Sequence, residues 1–376
     1  MKKVIEASMA AAIGVRLSKP KVISMYPITP QTHIVEYLSK FVSDGELNSR
    51  LIKVESEQSA ISSVIGAQAT GVRTFTATSS QGLLYMTEML FIASGMRLPI
   101  VMAVANRAVS APINIWNDHQ DSISIRDSGW MQFYVESSQE IMDTIIKAYK
   151  ISEKVNIPSM VCLDGFNLSH VYEPVDILGQ GEVDKFLPKY NPKYKLDWKN
   201  PITMGSLGAP NTYMEFKYQQ QKAMNNTIKT IKDVNKEFYK LFGRKYGDGL
   251  VEIINPDAKT GIIAAGSITG TIESVIKKYK NVGLVKLKTF RPFPKKELIK
   301  ACSNFENIAV IDRNISFGFG GAKYGEIKSI LPDKKITNFI MGLGGRDITE
   351  NDIKFVIKNV KKEKEIWVNV NDTWIT

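Results

Sequence analysis

Apolar positions over residues 1–165 fall into a repeated order: a stretch with helical spacing, a turn, then a short continuous apolar run. Spacing of three to four predicts helices over 5–17, 34–41, 59–69, 83–93 and 141–154. The runs between them predict strands at 22–25, 51–54, 74–78, 100–105 and 159–163. Helices of this length between short β-rich runs indicate an α/β fold, a doubly wound parallel sheet with right-handed crossovers. From 166 to 215 the period lapses into Pro, Tyr, Lys and Asp, as in Leu187-Pro188-Lys189-Tyr190-Asn191-Pro192, and an extended connector is expected there. An amphipathic helix follows over 218–242, with Ile228, Ile231, Val234, Phe238 and Leu241 on one face. Alternation then resumes, with strands expected at 261–265, 282–287, 307–311, 336–340 and 366–370, and helices at 271–279, 295–301, 322–330 and 350–360. Two α/β domains are therefore expected, 1–243 and a smaller one at 250–376.

Composition narrows this picture. At 376 residues each unit is long enough to bury its own core. The longest apolar runs, such as Ile100 to Ala105, have strand length, so no membrane span is expected. The opening Met1-Lys2-Lys3-Val4-Ile5-Glu6 reads as the start of a domain and not as a signal peptide, and a cytoplasmic protein is expected. Charge is uneven: residues 1–184 hold 15 Lys+Arg against 19 Asp+Glu, whereas 185–376 hold 34 against 19. The lysines of the basic half are dispersed among acidic residues with no arginine-rich tract, which argues against nucleic acid and for a solvated face or an acidic protein partner. Cys162 and Cys302 are the two cysteines. They are too few for an iron–sulfur cluster and lack the spacing of a zinc site. His33 and His170 have no carboxylates at metal-ligand spacing, so no metal site is expected in this chain.

The chemistry-bearing residues follow the predicted strands. Loops leaving the carboxyl ends of a parallel sheet converge on one edge, where ligands bind. Here they deliver a hydroxyl (Thr29, after Tyr26-Pro27-Ile28), a carboxylate (Glu57, in Glu55-Ser56-Glu57) and a guanidinium (Arg107, after Asn106). Ser80 and Gln81, in Thr78-Ser79-Ser80-Gln81-Gly82, lie between them. A guanidinium fork with a hydroxyl suits a small carboxylate. Each residue also has a purely structural reading: Glu57 as a helix cap, with Glu55 as its competitor, Thr29 as a turn residue and Arg107 in an ion pair. In Asn117-Asp118-His119-Gln120-Asp121, His119 beside Asp118 is either a general base or a hydrogen-bond knot. Gly266-Ser267 and Gly318-Phe319-Gly320-Gly321 have the look of phosphate-cradling turns, but neither fits a dinucleotide fingerprint.

Seven motifs in order resemble the alpha subunit of the pyruvate:ferredoxin oxidoreductase family. They are Tyr26-Pro27-Ile28-Thr29-Pro30, Glu55-Ser56-Glu57, Thr76-Ala77-Thr78-Ser79-Ser80-Gln81-Gly82, Ser110-Ala111-Pro112-Ile113-Asn114-Ile115-Trp116, Asn117-Asp118-His119-Gln120-Asp121, Phe290-Arg291-Pro292-Phe293-Pro294 and Met341-Gly342-Leu343-Gly344-Gly345-Arg346-Asp347. The resemblance implies a thiamine-diphosphate enzyme assembled from several subunits. It converts pyruvate, coenzyme A and oxidised ferredoxin to acetyl-CoA, carbon dioxide and reduced ferredoxin. This chain would supply the pyrimidine-binding domain, followed by a transketolase C-terminal-like domain. A beta subunit would supply the diphosphate site and Mg²⁺, beta and delta subunits the 4Fe–4S iron–sulfur clusters, and a gamma subunit would complete the assembly.

By the same resemblance, Glu57 is the carboxylate on the aminopyrimidine, favouring the ring tautomer that can take the thiazolium C2 proton. Thr29 and Arg107 would hold the 2-oxoacid carboxylate. Pro27, Ile28, Ser80 and Gln81 would line the cofactor, with Asn106, Asp118 and His119 as possible further members. Rival readings are a ferredoxin enzyme for another 2-oxoacid (2-oxoisovalerate, 2-oxoglutarate or oxalate), a thiamine subunit of a lipoamide-linked dehydrogenase, and a non-catalytic assembly subunit.

Overall fold

A computed structural model describes residues 1–371 and 373. The chain opens with β1 (Lys2–Glu6), α1 (Ala7–Ser18), β2 (Val22–Met25), α2 (Thr32–Ser43), β3 (Arg50–Lys53), α3 (Glu57–Ala69) and β4 (Thr74–Thr78). Next come α4 (Ser80–Tyr85), α5 (Thr87–Gly95), β5 (Val101–Asn106), α6 (Gln120–Ser124), β6 (Met131–Tyr134), α7 (Ser138–Val155) and β7 (Ser159–Asp164). A middle stretch carries β8 (Tyr172–Asp176), α8 (Gln180–Phe186) and α9 (Tyr213–Phe242). The last part holds β9 (Val251–Ile254), β10 (Thr260–Ala264), α10 (Ile268–Ile276), β11 (Val282–Leu287), β12 (Thr289–Arg291) and α11 (Lys295–Ala301). It ends with β13 (Asn307–Asp312), α12 (Ala322–Ile330), β14 (Lys335–Ile340), α13 (Glu350–Asn359) and β15 (Glu365–Trp367).

The predicted alternation forms two sheets. The first runs β12-β6-β7-β5-β4-β2-β3 and is parallel except for β12, which pairs antiparallel to β6. The second runs β15-β14-β13-β10-β11-β9, parallel except for β9. Several features depart from expectation, among them the unforeseen strands β9 and β12. Residues 2–6 form a strand pairing with β8 and not the first turn of a helix. The loop after β5 contains β6 and α6. The stretch 166–215 holds β8 and α8 before it turns irregular, and the long helix begins at Tyr213. In the last case the early turns of α9 expose Tyr213, Met214, Phe216 and Tyr218, so no apolar stripe marks them as helical.

One face of the first sheet is covered by α1, α2, α7 and α9. Ile231, Val234 and Phe238 of the predicted α9 stripe are buried there. Gly14 lets α1 approach α7 closely: a Cβ there would lie 2.8 Å from the Met142 carbonyl. The other face carries α3 to α5, and its core runs without a break into the second sheet, joining Ala60, Leu83 and Leu90 to Val285, Phe290 and Leu298. Buried ion pairs cross the same boundary, including Lys286–Glu136 at 2.8 Å, Lys288–Glu140 at 2.9 Å and Arg313–Asp164 at 2.8 Å. The shared core and the β12 strand make the two units one packed body. Among the described residues no helix is long and apolar enough to cross a membrane.

Candidate active site

The site lies where the first sheet's strands end. Glu57 is the first residue of α3, and the helix is capped by its neighbour: the Ser56 hydroxyl accepts from the Ser59 amide at 3.2 Å. Capping is therefore not the work of Glu57. Glu55 is exposed and accepts from the Ser59 hydroxyl at 2.5 Å, which leaves it outside the pocket. Glu57 is 8% exposed, and its carboxylate has no hydrogen-bond donor among the described residues. Its oxygens keep contact with solvent, so the carboxylate is free to accept a donor from a ligand. Along β4 and in the turn after it, the buried hydroxyls of Thr76, Thr78 and Ser79 lack partners. Gly82 floors the group: a Cβ there would lie 2.6 Å from Glu57 Oε1 and 2.6 Å from Thr78 Oγ1. A ligand edge bearing both donors and acceptors fits this arrangement.

Ser80 and Gln81 follow on the same turn. Ser80 has φ 48°, in the left-handed region that a side chain disfavours. It is held there by its hydroxyl, which donates to the Ala108 carbonyl at 2.5 Å, and by its amide, which donates to Asp121 Oδ2 at 2.9 Å. The Gln81 amide donates to the Ser110 hydroxyl, tying this turn to the loop after β5.

Arg107 follows β5. Its Nε donates to the Asn114 carbonyl at 2.9 Å and its Nη1 to the Thr29 carbonyl at 3.0 Å. Both partners are neutral oxygens. Among the described residues no carboxylate pairs with the guanidinium, and Nη2 makes no hydrogen bond. Burial draws the Arg107 pKa down, partly offset by Asp121, yet an arginine stays charged at any physiological pH. The ion-pair reading of Arg107 thus gives way to an unneutralised, pre-oriented fork. Thr29 and Pro27 are exposed and Ile28 half-buried, so this loop presents itself outward. Gln31 anchors the loop, donating to the Ala77 carbonyl at 2.7 Å. Pro30 packs so closely on Gly165 that a Cβ there would lie 2.7 Å from it and 2.5 Å from the Asn106 carbonyl.

Asn106 is tied through its amide nitrogen, while its Oδ1 is buried without a partner. Its amide donates to Asp121 Oδ1 at 2.7 Å and to the Ser122 hydroxyl at 2.8 Å. Asp118 and His119 lie between the two sheets. Asp118 accepts from the Gly344 amide at 3.1 Å, with burial raising its pKa. His119 is fully buried; its Nε2 bonds Asp164 Oδ1 at 2.8 Å and its Nδ1 faces Lys323 Nζ at 3.4 Å. Burial pushes its pKa down to about 4, so the ring is neutral and its environment is the hydrogen-bond knot. Asp164 also accepts from Arg313 Nη1 at 2.8 Å and from the Ser267 amide at 2.9 Å; despite burial, Arg313 and His119 hold its pKa far below the usual carboxylate range. The glycine turns have a related use. A Cβ at Gly266 would lie 3.0 Å from both Asp164 oxygens, and one at Gly321 would overlap Asp312 Oδ2, so each turn wraps a buried carboxylate.

Sequence reasoning missed the residue that joins these loops, Asp121. It is fully buried and accepts from Ser80, Asn106, Arg107 and Ser122, and burial pushes its carboxyl up to about 7. Its place in the Asn117–Asp121 motif was the available signal.

A family model described as pyruvate flavodoxin/ferredoxin oxidoreductase, thiamine diP-bdg, matches residues 13–236. A second, pyruvate:ferredoxin oxidoreductase core domain II, matches 258–353. Pyruvate synthase subunit PorA of Methanocaldococcus jannaschii is 56% identical, covering 98% of this chain and 98% of its own. Ketoisovalerate oxidoreductase subunit VorA of Pyrococcus abyssi is 44% identical over 96% of this chain and 94% of its own. Among solved structures, 2-oxoglutarate:ferredoxin oxidoreductase from Magnetococcus marinus superposes with a TM-score of 0.71 at 20% identity. That likeness concerns the fold, and covers 96% of this chain but 65% of that one.

Proposed function

The chain belongs to the pyruvate:ferredoxin oxidoreductase family, and from that premise we propose that it is the alpha-type subunit of a pyruvate synthase. The reaction takes pyruvate, coenzyme A and two oxidised ferredoxins to acetyl-CoA, carbon dioxide, a proton and two reduced ferredoxins, and runs in either direction. The observation that carries the assignment to this site is the unneutralised Arg107 fork beside Thr29, in one loop cluster with the unpartnered Glu57 carboxylate. In this reading 1–243 is the pyrimidine-binding unit and 250–376 the transketolase C-terminal-like unit.

When bound, thiamine diphosphate supplies the nucleophilic carbon and the electron sink that decarboxylation of a 2-oxoacid requires. Glu57, Gly82 and the hydroxyls of Thr76, Thr78 and Ser79 would hold its aminopyrimidine, with Pro27, Ile28, Ser80 and Gln81 around it. Glu57 would hold or move a proton at a nitrogen of that ring. Arg107 Nη2 and the Thr29 hydroxyl bind and orient the pyruvate carboxylate; the guanidinium charge offsets the loss of its hydration. Partner subunits complete the enzyme. We assign the diphosphate half and Mg²⁺ to a beta subunit and the 4Fe–4S clusters to beta and delta subunits. A gamma subunit, ferredoxin as acceptor and a cytoplasmic location complete the reading. Two cysteines, both buried, support placing the electron path outside this chain.

The test is a mild affinity purification of the chain from anaerobically grown native cells, assayed for viologen reduction dependent on pyruvate and coenzyme A. Brown partner subunits with that activity are expected. A colourless chain alone, or one bound to a lipoyl acyltransferase, would overturn the reading. A panel including 2-oxoisovalerate separates pyruvate from the substrate class named for the VorA relative.

A further inference from the structure

We propose that Asp121 is a positioning residue: one carboxylate on the loop after β5 sets the Arg107 fork and the Ser80–Gln81 turn in register with each other. This rests on the functional reading above, since it concerns how the substrate contact is aligned with the cofactor contact.

Each oxygen of Asp121 takes two N–H donors. Oδ1 accepts from Asn106 Nδ2 at 2.7 Å and from the Ser122 amide at 2.7 Å. Oδ2 accepts from the Ser80 amide at 2.9 Å and from the Arg107 amide at 3.0 Å. The last two are backbone amides just past the ends of β4 and β5, where the ladder no longer satisfies them. One oxygen atom therefore fixes the distance between the turn leading to Gln81 and Gly82 and the residue that carries the guanidinium. Four donors converge on this side chain, and only the ionised carboxylate accepts at both oxygens and donates at neither. A proton, or the NH₂ of an asparagine, points a donor at donors wherever it sits: at Oδ2 it parts the Ser80 and Arg107 amides, and at Oδ1 it frees the Asn106 and Ser122 donors that hold the carboxylate in place. The Ser80 backbone, held at φ 48° where a side chain is disfavoured, relaxes once its amide is freed.

The groups that face Asp121 contain one cation. Arg107 lies at the end of β5, Asp118 on its own loop, Tyr134 on β6 and Cys162 on β7. Tyr134 and Cys162 are neutral at physiological pH, both raised by burial, and His119 stays neutral above about 4. Burial first, and then the Asp118 charge, push the Asp121 carboxyl up to about 7, against the hydrogen bonds from Asn106, Arg107 and Ser80 that favour its charge. The register is thus present above that pH and lost as pH falls through it.

The experiment is Asp121→Asn in the assembled enzyme, with pyruvate and coenzyme A varied separately across about pH 5.5–8.5. The expected result is a pyruvate KM raised roughly tenfold or more, a lower kcat and an unchanged coenzyme A KM. Wild-type kcat/KM for pyruvate should fall below about pH 7, and this limb should be absent in the variant. A variant with the wild-type pyruvate KM and pH profile overturns the proposal. If Asp121→Asn does not assemble, Asn106→Ala keeps the carboxylate and removes one donor; its acidic limb should move to higher pH, and an unmoved limb also overturns the proposal. A wild-type assembly without pyruvate- and coenzyme-A-dependent turnover would instead refute the functional reading itself.

Discussion

Replacing Gly82 with alanine moves Glu57 without altering it. Gly82 sits inside α4 with no left-handed backbone, so the methyl brings no backbone strain, and the helix gains about 1 kcal/mol in propensity. The new Cβ would lie 2.6 Å from Glu57 Oε1, 2.9 Å from Glu57 Cγ and 2.6 Å from Thr78 Oγ1, where ordinary contact begins at 3.4 Å. The Thr78 hydroxyl, which has no partner, and the flexible Glu57 side chain both give way, Glu57 by most of an ångström. Overpacking costs about 1–3 kcal/mol, partly offset by the helix gain, so assembly and Tm should change little. A displacement of about 1 Å at a reacting group costs on the order of 10²-fold, or about 2.7 kcal/mol of transition-state stabilisation. The assay is anaerobic viologen reduction by the assembled enzyme, with thiamine diphosphate titrated into cofactor-depleted protein. Both turnover and cofactor affinity should fall. Wild-type values for both would refute the argument that Glu57 works from the position Gly82 enforces.

Glu57→Gln should lower turnover by roughly 10²- to 10⁴-fold while subunit assembly, followed by size exclusion, persists; near-normal turnover would remove Glu57 from the chemistry. Arg107→Ala should cost about 2–4 kcal/mol in kcat/KM for pyruvate, roughly 30-fold to several hundredfold, with the coenzyme A KM unmoved; equal loss for both substrates would mark a structural role. Arg313→Ala should destabilise by about 3–5 kcal/mol, because it leaves Asp164 buried beside a neutral histidine; a Tm within a degree of wild type would contradict this. His119 titrates near 4 when folded against 6.5 when free, so the unfolded chain takes its proton first. The His119 contribution is therefore full above about pH 6.5 and falls by about 1.4 kcal/mol per unit down to about 4, against an opposite contribution from Asp121, whose folded carboxyl is raised to about 7. The check is the difference in stability between wild type and His119→Gln, which should shrink by that slope as pH falls.

Much of the fold could be read from periodicity because most helices bury one stripe and most strands are continuous apolar runs. The missed pieces lack such a signature. Lys2–Glu6 is a mostly exposed edge strand whose Val4 and Ile5 blend into the helix that follows. β6 is four residues long, within a loop that the sequence leaves unpatterned. β12 is three residues long and sits before Pro292, so proline-rich Phe290–Pro294 did not read as a strand. In the site, Thr29, Glu57 and Arg107 were marked by residue type and by their place after strands. Asp121 was not, since its partners Ser80 and Arg107 are 41 and 14 residues away and spacing cannot reveal a buried acceptor for backbone amides. Nor could it tell that His119 and Asp118 face the second sheet, which requires Arg313, Lys323 and Gly344 to be folded against them.

The strand Thr289–Arg291 bears on how the protein is made. On the ribosome β6 emerges early, but the segment that closes its outer side follows only after residue 291 has been added. At usual elongation rates that interval is roughly ten to thirty seconds. Throughout it the nascent chain carries an unpaired strand edge, a template for mispairing with other chains. The two α/β units thus follow one another in translation but cannot finish folding in that order. The first is completed by the second.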